Sequence, residues 1–125
     1  MSDRSEPVIF DEFDILRRLA DDRELVQDVL MAFAGDIGNH LDRMDRAIKD
    51  RDLLAIRRIA HTVKGAAANV SADALVAAAR MIEAGADQGD WTAITERVMA
   101  LVAGVERYRE VLRNRGWLLP LKEST

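Results

Sequence analysis

Two of the 125 residues are histidines, and His61 lies among side chains that would let an imidazole do chemistry. Arg57 and Arg58 precede it by one helical turn, Lys64 and Gly65 follow it by one, and Ala68 follows by two. On a helix all of these are neighbours on one broad face. A neutral imidazole nitrogen is a good nucleophile near neutral pH, where an amine such as lysine is largely protonated. A cation one turn away can pair with phosphoryl oxygens and offset their charge during transfer. The basic spot of Arg57, Arg58 and Lys64 beside His61 therefore suits one phosphoryl group or an acidic partner surface better than a polyanion. A glycine inside a helix costs about 1 kcal/mol relative to alanine, so Gly65 needs a reason. One reason is that a partner must come close to the helix beside His61; the other is relief of crowding against a second helix. The plainer reading of the remaining charges is a solvated surface for Lys64, and for Arg57 and Arg58 either solvation or partner docking.

The element that must present these residues is an amphipathic helix over residues 56–70. Ile56, Ile59, Ala60, Val63, Ala67 and Val70 recur at spacings of three and four and form its buried stripe. At about 100° per residue, His61 falls roughly opposite that stripe and faces water. Three further stripes surround it. Val26, Leu30, Phe33, Ile37, Met44 and Ile48 mark a long helix with a weak point at Gly35 and Gly38. Leu75, Ala79, Ile82 and Ala86 mark the helix after the histidine. Trp91, Ile94, Val98, Leu101, Val105, Tyr108 and Leu112 mark the last and most regular one, which Gly116 stops.

Asp21 or Asp22, Asp50 or Asp52, Ser71 and Asp90 are the candidate N-caps. Ile9, Phe13, Leu16 and Leu19 suggest a short helix near the start. No strand pattern is present. Four long stripes with short connections predict an all-α, antiparallel up-and-down four-helix bundle with a short extra N-terminal helix. Residues 1–125 read as one domain, with 1–7 disordered and 117–125 an apolar C-terminal tail expected to fold back.

Composition removes several classes of function. There is no cysteine, so a disulfide framework and a thiolate metal site are both excluded. No apolar run approaches the roughly 20 residues of a membrane span, and the polar start MSDRSEP has no signal-peptide pattern. A cytoplasmic protein is expected, and the Met1 start suggests one that stands alone. A formal net charge of −4 argues against nucleic acid as the main partner. Neither histidine belongs to an HExxH motif, and no Glu-x-x-His pair of the di-iron kind occurs, so metal binding and a metal-dependent bundle enzyme have little support. His40 lies near an apolar stripe and reads as a half-buried structural residue. There is no Gly-rich phosphate loop and no GxSxG. The chain has no nucleotide site with which to act as a kinase, and a phosphoryl group must come from another protein.

The run Ala60-His61-Thr62-Val63-Lys64-Gly65, followed by Ala66, Ala67 and Ala68, resembles the signature of histidine-containing phosphotransfer (HPt) domains, roughly A-H-x-L-K-G and then small residues. Val63 replaces the usual leucine, and Ser71 stands where glycine is common. The start at residues 10–19, the DxxLL step at 50–54, and Ile82-Glu83 also fit, so the resemblance covers nearly the whole chain. It implies the same bundle, monomeric, acting as a phosphorelay intermediate. His61 would accept a phosphoryl group from a receiver-domain aspartate and pass it to another receiver. Lys64 would neighbour the group, while Gly65 and Ala68 leave room for the receiver and Arg57 and Arg58 dock it. The partner's bound magnesium would supply the metal, so no cofactor is expected here. The rival is a helical adaptor that docks on a receiver or histidine kinase and inhibits it without being phosphorylated.

Overall fold

Four helices of this chain begin on an aspartate that does the same job. Asp11, Asp22, Asp52 and Asp90 each accept the backbone N–H three residues on, at 3.0–3.1 Å. Each carboxylate thereby satisfies one of the amides that a helix start leaves without a partner. In the computed structural model, which describes residues 7–118, these caps open α1 (Glu12–Arg18), α2 (Arg23–Lys49), α3 (Leu53–Asn69) and α5 (Trp91–Asn114). The exception is α4 (Asp73–Gln88), whose cap position is Ala72 and carries no side-chain bond. Ser71 is therefore not the cap expected from the sequence. Its hydroxyl turns away and donates to Asp14 at 2.8 Å. Asp50 closes α2, and Asp52 alone caps α3.

The helices also end alike. Arg51, Ser71, Gly89 and Gly116 take left-handed backbone angles just past α2, α3, α4 and α5. In each case the next residue's amide reaches back five positions, as Ala72 does to the Ala67 carbonyl at 3.0 Å. Ser71 at φ 54 occupies the place where glycine costs least. Its hydrogen bonds to Asp14 and from the Arg18 guanidinium, the latter at 2.7 Å, offset that cost.

Gly35 and Gly38 do not break α2, which runs unbroken for 27 residues, or about 40 Å. The buried stripes of α2 to α5 match the expected residues, from Val26 and Leu30 through Ile56, Val63, Leu75 and Ile82 to Leu101 and Leu112, except that Ile48, Ile59 and Trp91 are only half-buried against the core. The short first helix differs in phase. It starts only at Glu12, so Ile9 and Phe10 precede it in non-helical chain. Phe10 and Ile15 are buried, whereas Phe13 is 76% exposed.

The described residues contain five helices and no strand. α3 packs most closely on α4, α4 on α5 and α2 on α3, while α2 and α5 touch more lightly. Ala60 and Ala67 on α3 and Ala79 and Ala86 on α4 are all buried. Small side chains of this kind let two helix axes approach. Tyr108 sits in the centre, edge-on to Phe10 and Phe33, and its hydroxyl donates to the Val70 carbonyl at 3.1 Å. That bond ties α5 to the end of α3. At the C-terminal end Trp117 does fold back: it is buried, under the Arg23 guanidinium at 4.4 Å, and its carbonyl accepts from Gln27. Residues 1–6, expected to be disordered, and 119–125 of the tail lie outside the described residues.

Candidate functional site

α3 turns Ile56, Ala60, Val63 and Ala67 fully into the core. His61 is left on the far side, with 71% of its side chain exposed. Gly65 and Ala68 are exposed beside it. A methyl group built on Gly65 would meet nothing within 4 Å. No other helix of the described residues crowds that glycine, so relief of internal crowding is not why it is there.

The close packing of α3 on α4 brings in Glu83, which is only 14% exposed. One carboxylate oxygen is 2.6 Å from the Lys64 ammonium, and the other is 3.1 Å from Nδ1 of His61. Burial pushes the Glu83 carboxyl up, but the hydrogen bonds from Lys64 and His61, with their charges, outweigh it and hold its pKa below the ordinary value. Glu83 is thus ionised at neutral pH and can only accept. The ring nitrogen facing it must be the donor, so the neutral imidazole carries its proton on Nδ1. The lone pair is left on Nε2, the nitrogen not engaged by the carboxylate.

Arg57 and Asp87 form a second pair across the same seam, at 2.7 Å and half exposed. Arg57, His61, Lys64, Arg80, Glu83 and Asp87 line one open hollow, with Ala84 on its α4 wall. Arg58 is exposed on the other flank of α3, toward the α2 side, outside that hollow. Of the residues expected from the sequence, the structure brings His61, Lys64 and Arg57 together, with Gly65 and Ala68 on the adjoining outer face. Glu83, Asp87 and Arg80 are additions. The sequence marks Glu83 only as part of the Ile82-Glu83 pair that fits the HPt resemblance, with no role at the site attached to it. Its pairing across 22 residues depends on the register of α4 against α3, which no local spacing reveals.

His40 is half-buried on α2 and lines a separate hollow with Phe33, Ala66 and Asn69. Among the described residues no three His, Asp or Glu side chains gather as a metal site, and no helix is long and apolar enough to cross a membrane. Another hollow, about 700 Å³, lies between α2 and α5 and is lined by Met31, Gly35, Arg109 and Arg113. It is distinct from the His61 face.

The end of α3 is braced by polar groups from α1. The Ser71 hydrogen bond holds the Asp14 carboxyl below its ordinary pKa against burial, with Arg18 and Arg17 adding to the effect. Burial pushes the Tyr108 phenol up. Both groups therefore keep the protonation states that their hydrogen bonds require across the neutral range.

An imidazole held through one nitrogen and open at the other, on a helical bundle, is an arrangement able to carry a group on histidine. Comparison with known families goes one step further. The family model described as Hpt domain matches residues 28–111, well over half of the chain, and the chain belongs to that family. Hpt domains have a phosphotransfer role in two-component systems, where they are phosphocarriers rather than kinases and interact with receiver domains. No curated protein and no solved structure matched the chain.

Proposed function

We propose that this protein is a phosphorelay intermediate that takes a phosphoryl group onto Nε2 of His61 from a receiver-domain aspartate and hands it to another receiver. The observation that carries this reading is the Glu83 contact to Nδ1 of an otherwise exposed His61. In the forward step the Nε2 lone pair attacks phosphorus. The N–P bond forms as the P–O bond to the donor aspartate breaks, and the bonding pair leaves with the donor carboxylate. The ring keeps its Nδ1 proton, and Glu83 offsets the positive charge that grows on it. Return to a second aspartate is the same path reversed. Lys64 is within reach to exchange Glu83 for the phosphoryl oxygens. Gly65 and Ala68 give the receiver a low surface to press on, with Arg57 and Arg58 at its edges. The magnesium of the reaction belongs to the receiver. The reading goes with a bundle whose four long helices run alternately up and down, as their short connections favour, and with a monomer in the cytoplasm.

The test is to incubate the protein with receiver domains charged with radiolabelled acetyl phosphate. The expected result is an acid-labile, base-stable label on His61 that is absent from His61→Gln. A receiver that binds tightly while no label reaches His61 would favour an inhibitory adaptor instead.

A further inference from the structure

We propose that Arg80 is the docking cation of the His61 face, drawing in a partner whose approaching surface is anionic; the inference rests on the phosphocarrier reading. Three cations and two carboxylates line the hollow around His61. Two of the cations are already matched: Lys64 with Glu83 at 2.6 Å and Arg57 with Asp87 at 2.7 Å. Arg80 makes no ion pair or hydrogen bond among the described residues and is exposed. With a neutral imidazole, the net charge of the hollow is therefore the charge of Arg80.

Arg80 is also accessible to a flat partner. It stands one turn before Glu83 on α4, and its neighbours at three before and four after are the small, half-buried Ala77 and Ala84. These small residues extend onto α4 the clearance that Gly65 and Ala68 give on α3. A phosphoryl group on the donor aspartate brings about two negative charges; the carboxyl that holds it adds none until the P–O bond breaks. The unloaded face is cationic and attracts that donor. Once His61 holds the group, the same hollow is net negative, and Arg80 no longer dominates it. Arg80 thus favours docking of the unloaded carrier onto a loaded partner over docking of the loaded carrier.

The experiment uses Arg80→Ala, Arg80→Glu and Arg80→Lys in the full chain, with receiver domains charged by acetyl phosphate and magnesium. For Arg80→Glu at about 20 mM salt, kcat/KM for transfer to His61 should fall on the order of tenfold, with the rate at saturating receiver unchanged. The gap should shrink toward none at about 0.5 M salt, and Arg80→Lys should stay within about twofold of wild type. In parallel, receiver binding is measured by fluorescence titration in a His61→Gln background, with and without Arg80→Glu, so that no phosphotransfer is needed. Equal affinities with equal salt slopes would overturn the role of Arg80. A wild type that binds receivers, responds to Arg80→Glu and never takes label would sink the carrier reading alone. A wild type that binds no receiver overturns both.

Discussion

Removing the carboxylate of Glu83 is the sharpest perturbation of this site. Glu83→Ala deletes the acceptor of His61 Nδ1 and the counter-ion of Lys64 together, while Glu83→Gln keeps an acceptor but removes the charge. A hydrogen bond to a charged group contributes about 1.5–3 kcal/mol where water is excluded. The Glu83 side chain is 14% exposed, but that of His61 is 71% exposed. Water competes for that bond, so about 1 kcal/mol is the appropriate share for Nδ1. That amounts to roughly fivefold in the ratio of the two neutral tautomers. In the wild type, nitrogen-15 correlation spectra of the His61 ring should show mainly the Nδ1–H form. Glu83→Ala should shift the ratio by about fivefold toward Nε2–H, and Glu83→Gln by less. The single-turnover transfer rate at saturating receiver should fall two- to fivefold in step. A ring whose tautomer ratio is the same in wild type and Glu83→Ala would refute the reasoning, whatever the transfer rates.

The same carboxylate gives a pH dependence. Its folded pKa is lowered, so its stabilising contribution is present above the unfolded value and is lost as pH falls through the folded one. The difference in unfolding free energy between wild type and Glu83→Gln, measured with urea, should be about 1 kcal/mol at pH 7 and should shrink as pH falls from the ordinary glutamate range through the lowered folded pKa. Gly65→Ala should raise stability by about 1 kcal/mol, or roughly 4 °C in Tm by calorimetry, because the added methyl meets nothing. Gly65→Glu should keep the circular dichroism of the fold while transfer from a charged receiver drops by at least an order of magnitude; unchanged transfer kinetics would mean that close docking is not its purpose. Tyr108→Phe removes the bond to the Val70 carbonyl but keeps the ring contacts to Phe10 and Phe33, so a loss of about 1–2 kcal/mol in urea melts is expected. Gly85→Val puts bulk where a single added carbon already lies 3.1 Å from the Ile94 side chain, and should cost about 1–3 kcal/mol by overpacking.

Most of the helical architecture is legible in the spacing of apolar residues, because a helix that buries one face must repeat every three or four positions. The stripes through Val26, Ile56, Leu75 and Ile94 all lie in the core. The aspartate caps of α2, α3 and α5 are legible for a similar reason: the carboxylate bonds an amide only three residues away. The misses are where distance in sequence enters. Ser71 has the side chain of a cap, but Asp14, 57 residues away, takes its hydroxyl. The phase of α1 depends on Phe10 packing edge-on to Tyr108 before the helix starts. At the site, the outward face of α3 follows from its own period, whereas Glu83, Asp87 and Arg80 arrive from α4 through a helix register that local patterns do not encode. The glycine at 65 was readable as an anomaly of propensity, and the open space over it in the fold leaves external approach as the reason that remains.

On the phosphocarrier reading, one carboxylate serves two cationic partners that want different things once a phosphoryl group arrives. Lys64 sits on a flexible stem, and a dianionic group on Nε2 offers it more charge than Glu83 does. His61 Nδ1, by contrast, has only Glu83 to donate to among the described residues, and it needs an acceptor more as the ring gains positive character. Loading His61 should therefore pull Lys64 off the carboxylate while tightening the Nδ1 contact. The ion pair at 2.6 Å then acts as a holding position that keeps the ammonium within reach, and Glu83 remains to steady the ring in both states. In proton-detected spectra of the phosphorylated protein, the Nδ1 proton of His61 should move further downfield than in the unloaded protein, while the signal and dynamics of the Lys64 ammonium change as it leaves Glu83 for the phosphoryl oxygens. A Lys64 whose dynamics do not change on loading would mean that Glu83 keeps it throughout, and that the charge on the phosphoryl group is met by the partner alone.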